Sequence, residues 1–401
     1  MHRSRSRSRC LVVRRAALAA LVAAPLAAQP PSARWSAYVR TFDAYVAAES
    51  IVGAATLLIK DGRVVARHET GFGDRALGQR VDGNTIFHWG SITKTLTAIA
   101  VMQLVERGRL SLDARVTDYI PELRRVHDPW GSMDSVTVQM LLSHSSGLQD
   151  PTWPWTQGKP WEPFEPTTWE QLVAMMPYQE AAFKPGTRYS YSNPGFIYLA
   201  RIIEQITGDP WESYVQKNIF APLGLSRSYF NGTPYYLAAW RSNNYFVVKD
   251  STGRVQVIAN GRDFNPGITV SNGGWNAPLP DLAAYLAFLT NAAGGDSAKQ
   301  RRYDIVLPHA TLERMWRPRF PVEPGSRAGD SMATSFFASS RGGTTFVGHT
   351  GTQAGFRTFV FWDPLAKTAV IGAFNTIDLV DETKYEAGFL AVRDSAWAAL
   401  R

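Results

Sequence analysis

The hydrophobic pattern divides the chain into strand-rich ends and a helix-rich middle. Residues 34–49 alternate as an amphipathic helix. Two apolar runs follow, 53–60 and 63–68, and Asp61-Gly62 between them predicts a hairpin turn. From residue 91 the period lengthens again, with Ile92, Leu96, Ile99 and Val105 at helical spacing. Helices are predicted at 168–177, 195–207, 211–219 and about 278–291, the last with Asn276 as cap and Pro278 in its first turn. The final third is β-rich. Runs beginning at Ala333, Thr344, Arg357 and Thr368 are bounded by Gly, Asp and Pro, and a helix over roughly 380–399 closes the chain. Strands at both ends with helices between predict one sheet built from both termini and a helical insertion.

Composition changes this picture mainly at the amino terminus. An Arg-rich start ending at Arg14-Arg15, a short apolar run and a small-residue exit near Ala27-Ala28 mark residues 1–28 as a cleaved export signal, which places the protein in the periplasm or outside the cell. The apolar run is shorter than the roughly 18 residues a stable membrane span needs. The segment holds six arginines and no acid, so the formal charge of +8 falls to +2 for a chain starting near Gln29. A near-neutral mature chain gives no argument for nucleic acid as a partner. The single cysteine, Cys10, lies in the same segment, so the mature chain is expected to have no disulfide, thiolate metal site or cysteine nucleophile. Seven histidines are scattered without paired spacing, and neither a metal nor another cofactor is expected.

Candidate chemistry centres on Ser91-Ile92-Thr93-Lys94. Residues i and i+3 share a helix face, so the Lys94 ammonium reaches the Ser91 hydroxyl without tertiary help. A serine in a first helical turn also meets unpaired backbone N–H groups, which favour an oxyanion. The tetrapeptide alone is weak, since about one S-x-x-K is expected by chance in a chain this long. Three other stretches support it. Tyr191-Ser192-Asn193 offers a phenol that a nearby ammonium can push towards phenolate, and an amide able to orient Lys94 or bind a carbonyl. Residues 347–356 hold His349-Thr350-Gly351-Thr352, with glycines that let a strand approach a ligand. The third is Leu141-Leu142-Ser143-His144-Ser145-Ser146-Gly147-Leu148.

In this order and at these intervals the motifs resemble the serine penicillin-recognising family of class C β-lactamases, DD-peptidases and related esterases. The resemblance covers about residues 34–400. It implies an α/β (α+β) fold: a central, mainly antiparallel sheet from both chain ends, flanked by helices, with an inserted all-helical subdomain. In that scheme residues 29–401 form one catalytic domain, with the sheet subdomain at about 34–108 and 300–401 and the helical one at about 109–299. It further implies that Ser91 is the nucleophile of an acyl-enzyme, that Lys94 accepts or relays its proton, and that Tyr191 is the general base. Asn193 would contact Lys94 and the substrate amide, and the N–H groups of Ser91 and Thr352 would form the oxyanion hole. His349, Thr350 and Gly351 stand where many β-lactamases carry Lys-Thr-Gly, whose cation and hydroxyl bind a substrate carboxylate. A histidine there would lose charge near neutral pH unless the site raises its pKa.

The run 349–352 resembles secreted D-alanyl-D-alanine carboxypeptidases, which makes carboxypeptidase-like or related amide and ester hydrolysis the expected activity. A class C-like β-lactamase or a carboxylesterase is the alternative, and a non-catalytic penicillin-binding sensor a further one. The expected partner is a small peptide, β-lactam or ester substrate. His144 and His88 read as structural, Trp275 as packing or narrowing the cleft, and Arg357 as an exposed strand residue in preference to a second cation for a substrate carboxylate. The Trp- and Pro-rich stretch 151–169 reads equally as a packed loop or an aromatic rim.

Overall fold

The computed structural model describes residues 32–148, 166–326 and 328–401. The expected export signal, Cys10 and most of the 151–169 stretch therefore lie outside the described residues.

A nine-stranded sheet, antiparallel throughout, organises the molecule. The strands Gly53–Lys60 and Arg63–Asp74 form the expected hairpin. Asp61 and Gly62 both take positive φ (+49° and +71°), as a two-residue turn matched to strand twist requires. On its other side Gly53–Lys60 pairs with Thr368–Phe374, so the two chain ends meet in mid-sheet, Ala54 opposite Phe374. Beyond it come Phe356–Asp363, Thr344–Gln353, Phe337–Arg341 and two short edge strands.

Alternation along these strands feeds two cores. Phe346, Phe359, Phe361, Val370 and Phe374 face the amino-terminal helix Ala33–Ala48 and the carboxy-terminal helix Glu382–Ala399. Val347, Val360, Trp362, Ala369 and Ile371 face the helix Thr93–Glu106 and the insertion. The first helix buries Trp35, Tyr38, Phe42 and Tyr45, a three-and-four spacing that puts all four on one face. Each fully buried aromatic of this kind, such as Phe42 stacked on Phe374 at 4.9 Å, contributes about 1.5–3 kcal/mol.

Two expectations need correction. Among the described residues the insertion carries more helix than strand, but it is not all-helical. It holds the hairpin Asn244–Lys249 and Val255–Gly261, which pairs in parallel with Thr376–Asp378. Its second strand is almost wholly exposed, so it lacks the alternating apolar signal by which a strand is recognised. Asn276 is not a helix cap: it lies in the strand Asn276–Pro278, paired with Ile86–His88, and the helix runs over Leu279–Leu289. Among the described residues no helix is long and apolar enough to cross a membrane.

Candidate active site

The helix Thr93–Glu106 is apolar or small nearly all round and is buried through Leu104, so it runs through the centre of the larger core. Ser91 sits just ahead of it in the tight turn Gly90–Ile92. Gly90 enters that turn at φ +52°, where a Cβ would lie 2.8 Å from the Thr352 nitrogen, so glycine is required both for the backbone angle and for the close approach. Behind the turn, Thr93 Oγ1 donates to the Gly90 carbonyl at 2.6 Å and accepts from Trp275 N at 3.0 Å. Trp89 N donates to the Trp275 carbonyl at 2.8 Å, and the Trp89 indole donates to the Ala277 carbonyl at 2.9 Å. Ser91 is thus mounted on a fully buried frame.

Lys94 meets Ser91 as the spacing predicts. Its Nζ donates to Ser91 Oγ at 3.1 Å and to the Asn272 carbonyl at 2.9 Å, with no exposure to solvent. The Tyr191 ring centroid lies 4.8 Å from Nζ and that of Phe196 lies 5.7 Å away. Sequence reasoning missed the Asn272 carbonyl. A backbone acceptor leaves no side-chain signature, and only the glycines at 273 and 274 mark the close packing there.

Tyr191 precedes the helix Asn193–Thr207, whose start is set by Ser192 accepting from Gly195 N and by Pro194 in the first turn. His144 holds this corner from beneath. Its ring stacks on Tyr191 at 4.3 Å and 23°, and its Nδ1 accepts the Ser192 N–H at 2.9 Å. Complete burial, then the neighbouring Lys94 and His349, push its imidazole well below the usual range, which favours the neutral ring. His144 also holds a left-handed φ of +52°, rare outside glycine. His88 lies behind the Ser91 turn and is not among the residues that line the cleft; it is 2.8 Å from Asn276 Oδ1 and 3.2 Å from Gln353 Oε1. Burial, reinforced by Arg241, lowers its pKa to about 4.

The strand Thr344–Gln353 forms the opposite wall. A Cβ on Gly351 would lie 2.0 Å from the Trp89 carbonyl, so only glycine lets this strand reach the Ser91 turn. Thr358 on the neighbouring strand donates to the same carbonyl at 3.1 Å. Ser91, Tyr191, Asn193, His349, Thr350 and Thr352 line one cleft of about 720 Å³, together with Tyr189 and Phe337. His349 is buried; its Nδ1 donates to the Thr350 carbonyl at 2.6 Å and its ring packs edge-on against Phe337. Gly351 supplies the close approach and is not itself among the lining residues.

Two further expectations resolve here. Arg357 is not an exposed strand residue. It is 2% exposed, covered by the carboxy-terminal helix, and it donates to Thr352 and Glu386. Trp275 packs between Phe220 and Tyr285 and does not narrow the cleft. Among the described residues no group of three or more His, Cys, Asp or Glu could hold a metal ion.

The model of the β-lactamase family matches residues 39–392, which takes in every residue that lines the cleft. The chain belongs to the β-lactamase family. Among its relatives in the family, esterase EstB of Burkholderia gladioli is 32% identical over 199 residues, 46% of this chain and 48% of that protein. Penicillin-binding protein 4 of Amycolatopsis lactamdurans is 34% identical over 195 residues, 47% of each. The match thus spans about half the length of these curated relatives. In three dimensions the chain is similar to the octameric penicillin-binding protein homologue from Pyrococcus abyssi, with a TM-score of 0.72, 28% identity, and coverage of 90% of this chain and 76% of the other.

Proposed function

We propose that this β-lactamase-family chain is a serine hydrolase that cleaves amides or esters through an acyl-enzyme on Ser91. The observation that carries the reading is the buried Lys94 side chain, its Nζ 3.1 Å from Ser91 Oγ with the Tyr191 ring beside it. In this reading Lys94 is charged, so it donates to the hydroxyl and relays its proton rather than keeping it. Its charge favours the phenolate of Tyr191, which serves as the base. Ser91 Oγ attacks the substrate carbonyl carbon as its proton passes to Tyr191, and the N–H groups of Ser91 and Thr352 receive the oxyanion. The carbonyl re-forms, the bond to the leaving group breaks, and Tyr191 returns the proton to that group. Water, activated by the same phenol, then releases the acyl group. Asn193 contacts the substrate amide, and His349 and Thr350 line the far side.

Residues 29–401 act as one catalytic domain in this reading, exported by the cleaved segment 1–28. Esterase EstB and penicillin-binding protein 4 among the relatives support ester turnover and penicillin binding. The D-alanyl-D-alanine carboxypeptidase reading is favoured by one observation, the His349-Thr350-Gly351-Thr352 run, three of whose members line the cleft. A panel separates the readings: a p-nitrophenyl ester, a chromogenic cephalosporin, a D-Ala-D-Ala peptide and a D-amino acid amide. Turnover of the ester or the amide is expected. Rapid cephalosporin turnover would indicate a β-lactamase, and absence of turnover on all four would count against a hydrolase.

A further inference from the structure

Tyr191 is held by a single residue on both of its sides. The Ser190 N–H donates to the His144 carbonyl at 2.8 Å, and the Ser192 N–H donates to His144 Nδ1 at 2.9 Å. Between these two bonds the imidazole stacks on the phenol ring at 4.3 Å. Phe196 and Tyr189 close around the imidazole at 5.0 and 6.0 Å. The loop that carries His144 is itself fixed: the Gly186 N–H donates to the Ser145 carbonyl at 2.7 Å, and the Ser335 N–H to the Leu142 carbonyl at 2.8 Å.

Packing alone does not account for an imidazole at this point. Because Nδ1 accepts a backbone N–H, the neutral ring carries its proton on Nε2. Nε2 is buried and, among the described residues, has no hydrogen-bond partner. An unmet buried donor costs stability, and so does the left-handed φ of +52°, which asparagine or glycine takes more easily. A phenyl ring would stack on Tyr191 without the unmet donor. It would lack the acceptor for the N–H of Ser192, a residue that is itself buried. Strain of this kind is kept where the surrounding geometry has work to do. We propose that His144 is a positioning residue for the reaction at Ser91. Its carbonyl and Nδ1 fix the backbone on either side of Tyr191, and its ring sets the plane of the phenol, whose centroid lies 4.8 Å from Lys94 Nζ. His144 does not line the cleft and acts through Tyr191. The inference rests on Tyr191 being the base and names what holds that base in place. A displacement of about 1 Å in such a group costs on the order of a hundredfold in rate.

The rate at which a fluorophosphonate labels Ser91 tests this without a known substrate, with intact mass giving both the rate constant and the labelled fraction at completion. His144→Phe keeps the ring and removes the acceptor. It should slow labelling about 30-fold or more, while the labelled fraction still reaches that of the unaltered protein. His144→Asn restores an acceptor and suits the left-handed φ, and should recover the rate to within about tenfold of the unaltered protein. In a Tyr191→Phe background, adding His144→Phe should change the rate by less than about threefold, because the group it positions is gone. Four results would each overturn the positioning role: a His144→Phe rate within about threefold of the unaltered one, an equal loss in both backgrounds, a His144→Asn rate no faster than that of His144→Phe, or a labelled fraction that falls in both variants. Tyr191→Phe labelled at the unaltered rate would instead overturn Tyr191 as the base beneath it.

Discussion

Ser91→Ala lowers kcat on any substrate the protein turns over by about 10⁴–10⁶-fold, the loss expected when a nucleophile is removed from a site that acts as a unit. The remaining rate comes from oxyanion donors and binding alone. KM changes little, because the hydroxyl contributes to bond formation more than to ground-state contact. Folding is also spared. Ser91 Oγ accepts from Lys94, and Lys94 retains the Asn272 carbonyl as a second acceptor. Steady-state kinetics beside a thermal melt measure both effects. A kcat within tenfold of the unaltered protein would show that another residue does the chemistry.

Lys94→Met separates activity from stability. The ammonium is fully buried, and a buried charge carries a desolvation cost that its hydrogen bonds offset only in part. Methionine is close in length, apolar and adaptable, and its neighbours include the faces of Tyr191 and Phe196. Melting temperature is therefore expected to hold or rise, while kcat/KM falls by about 10³-fold or more as the phenol loses the charge that favours its basic form. A parallel loss of melting temperature and activity would assign Lys94 a structural role. Unchanged activity would remove it from the mechanism.

The geometry of the candidate site was legible because its signals are local or carried by motif. The Ser91 to Lys94 spacing brings hydroxyl and amine together even though Ser91 lies in a tight turn ahead of the helix rather than within it. Tyr191, Asn193 and the strand from His349 to Thr352 were each marked by residue type, and they line one cleft with Ser91. The hairpin at Asp61-Gly62 and the meeting of the two chain ends in one sheet also followed from turn chemistry and alternation.

Other parts depend on what packs over what. Arg357 reads as a surface strand residue until the helix Glu382–Ala399 is laid across it. Asn272 acts through its carbonyl, which any residue could supply. Asn276 has the side chain of a helix cap, but the Ile86–His88 strand pairs with it and His88 takes its amide oxygen. The exposed strand Val255–Gly261 is held by its ladder with Asn244–Lys249, for which its own sequence gives little sign.

The most direct test of the account is covalent. The protein is incubated with a fluorophosphonate, which reacts with an activated serine and is not released by water, and intact mass is followed by peptide mapping. One phosphonyl group per chain, on the peptide that contains Ser91 and absent from Ser91→Ala, is the predicted result. An adduct of equal yield in Ser91→Ala, or one that maps to a different residue, would contradict it.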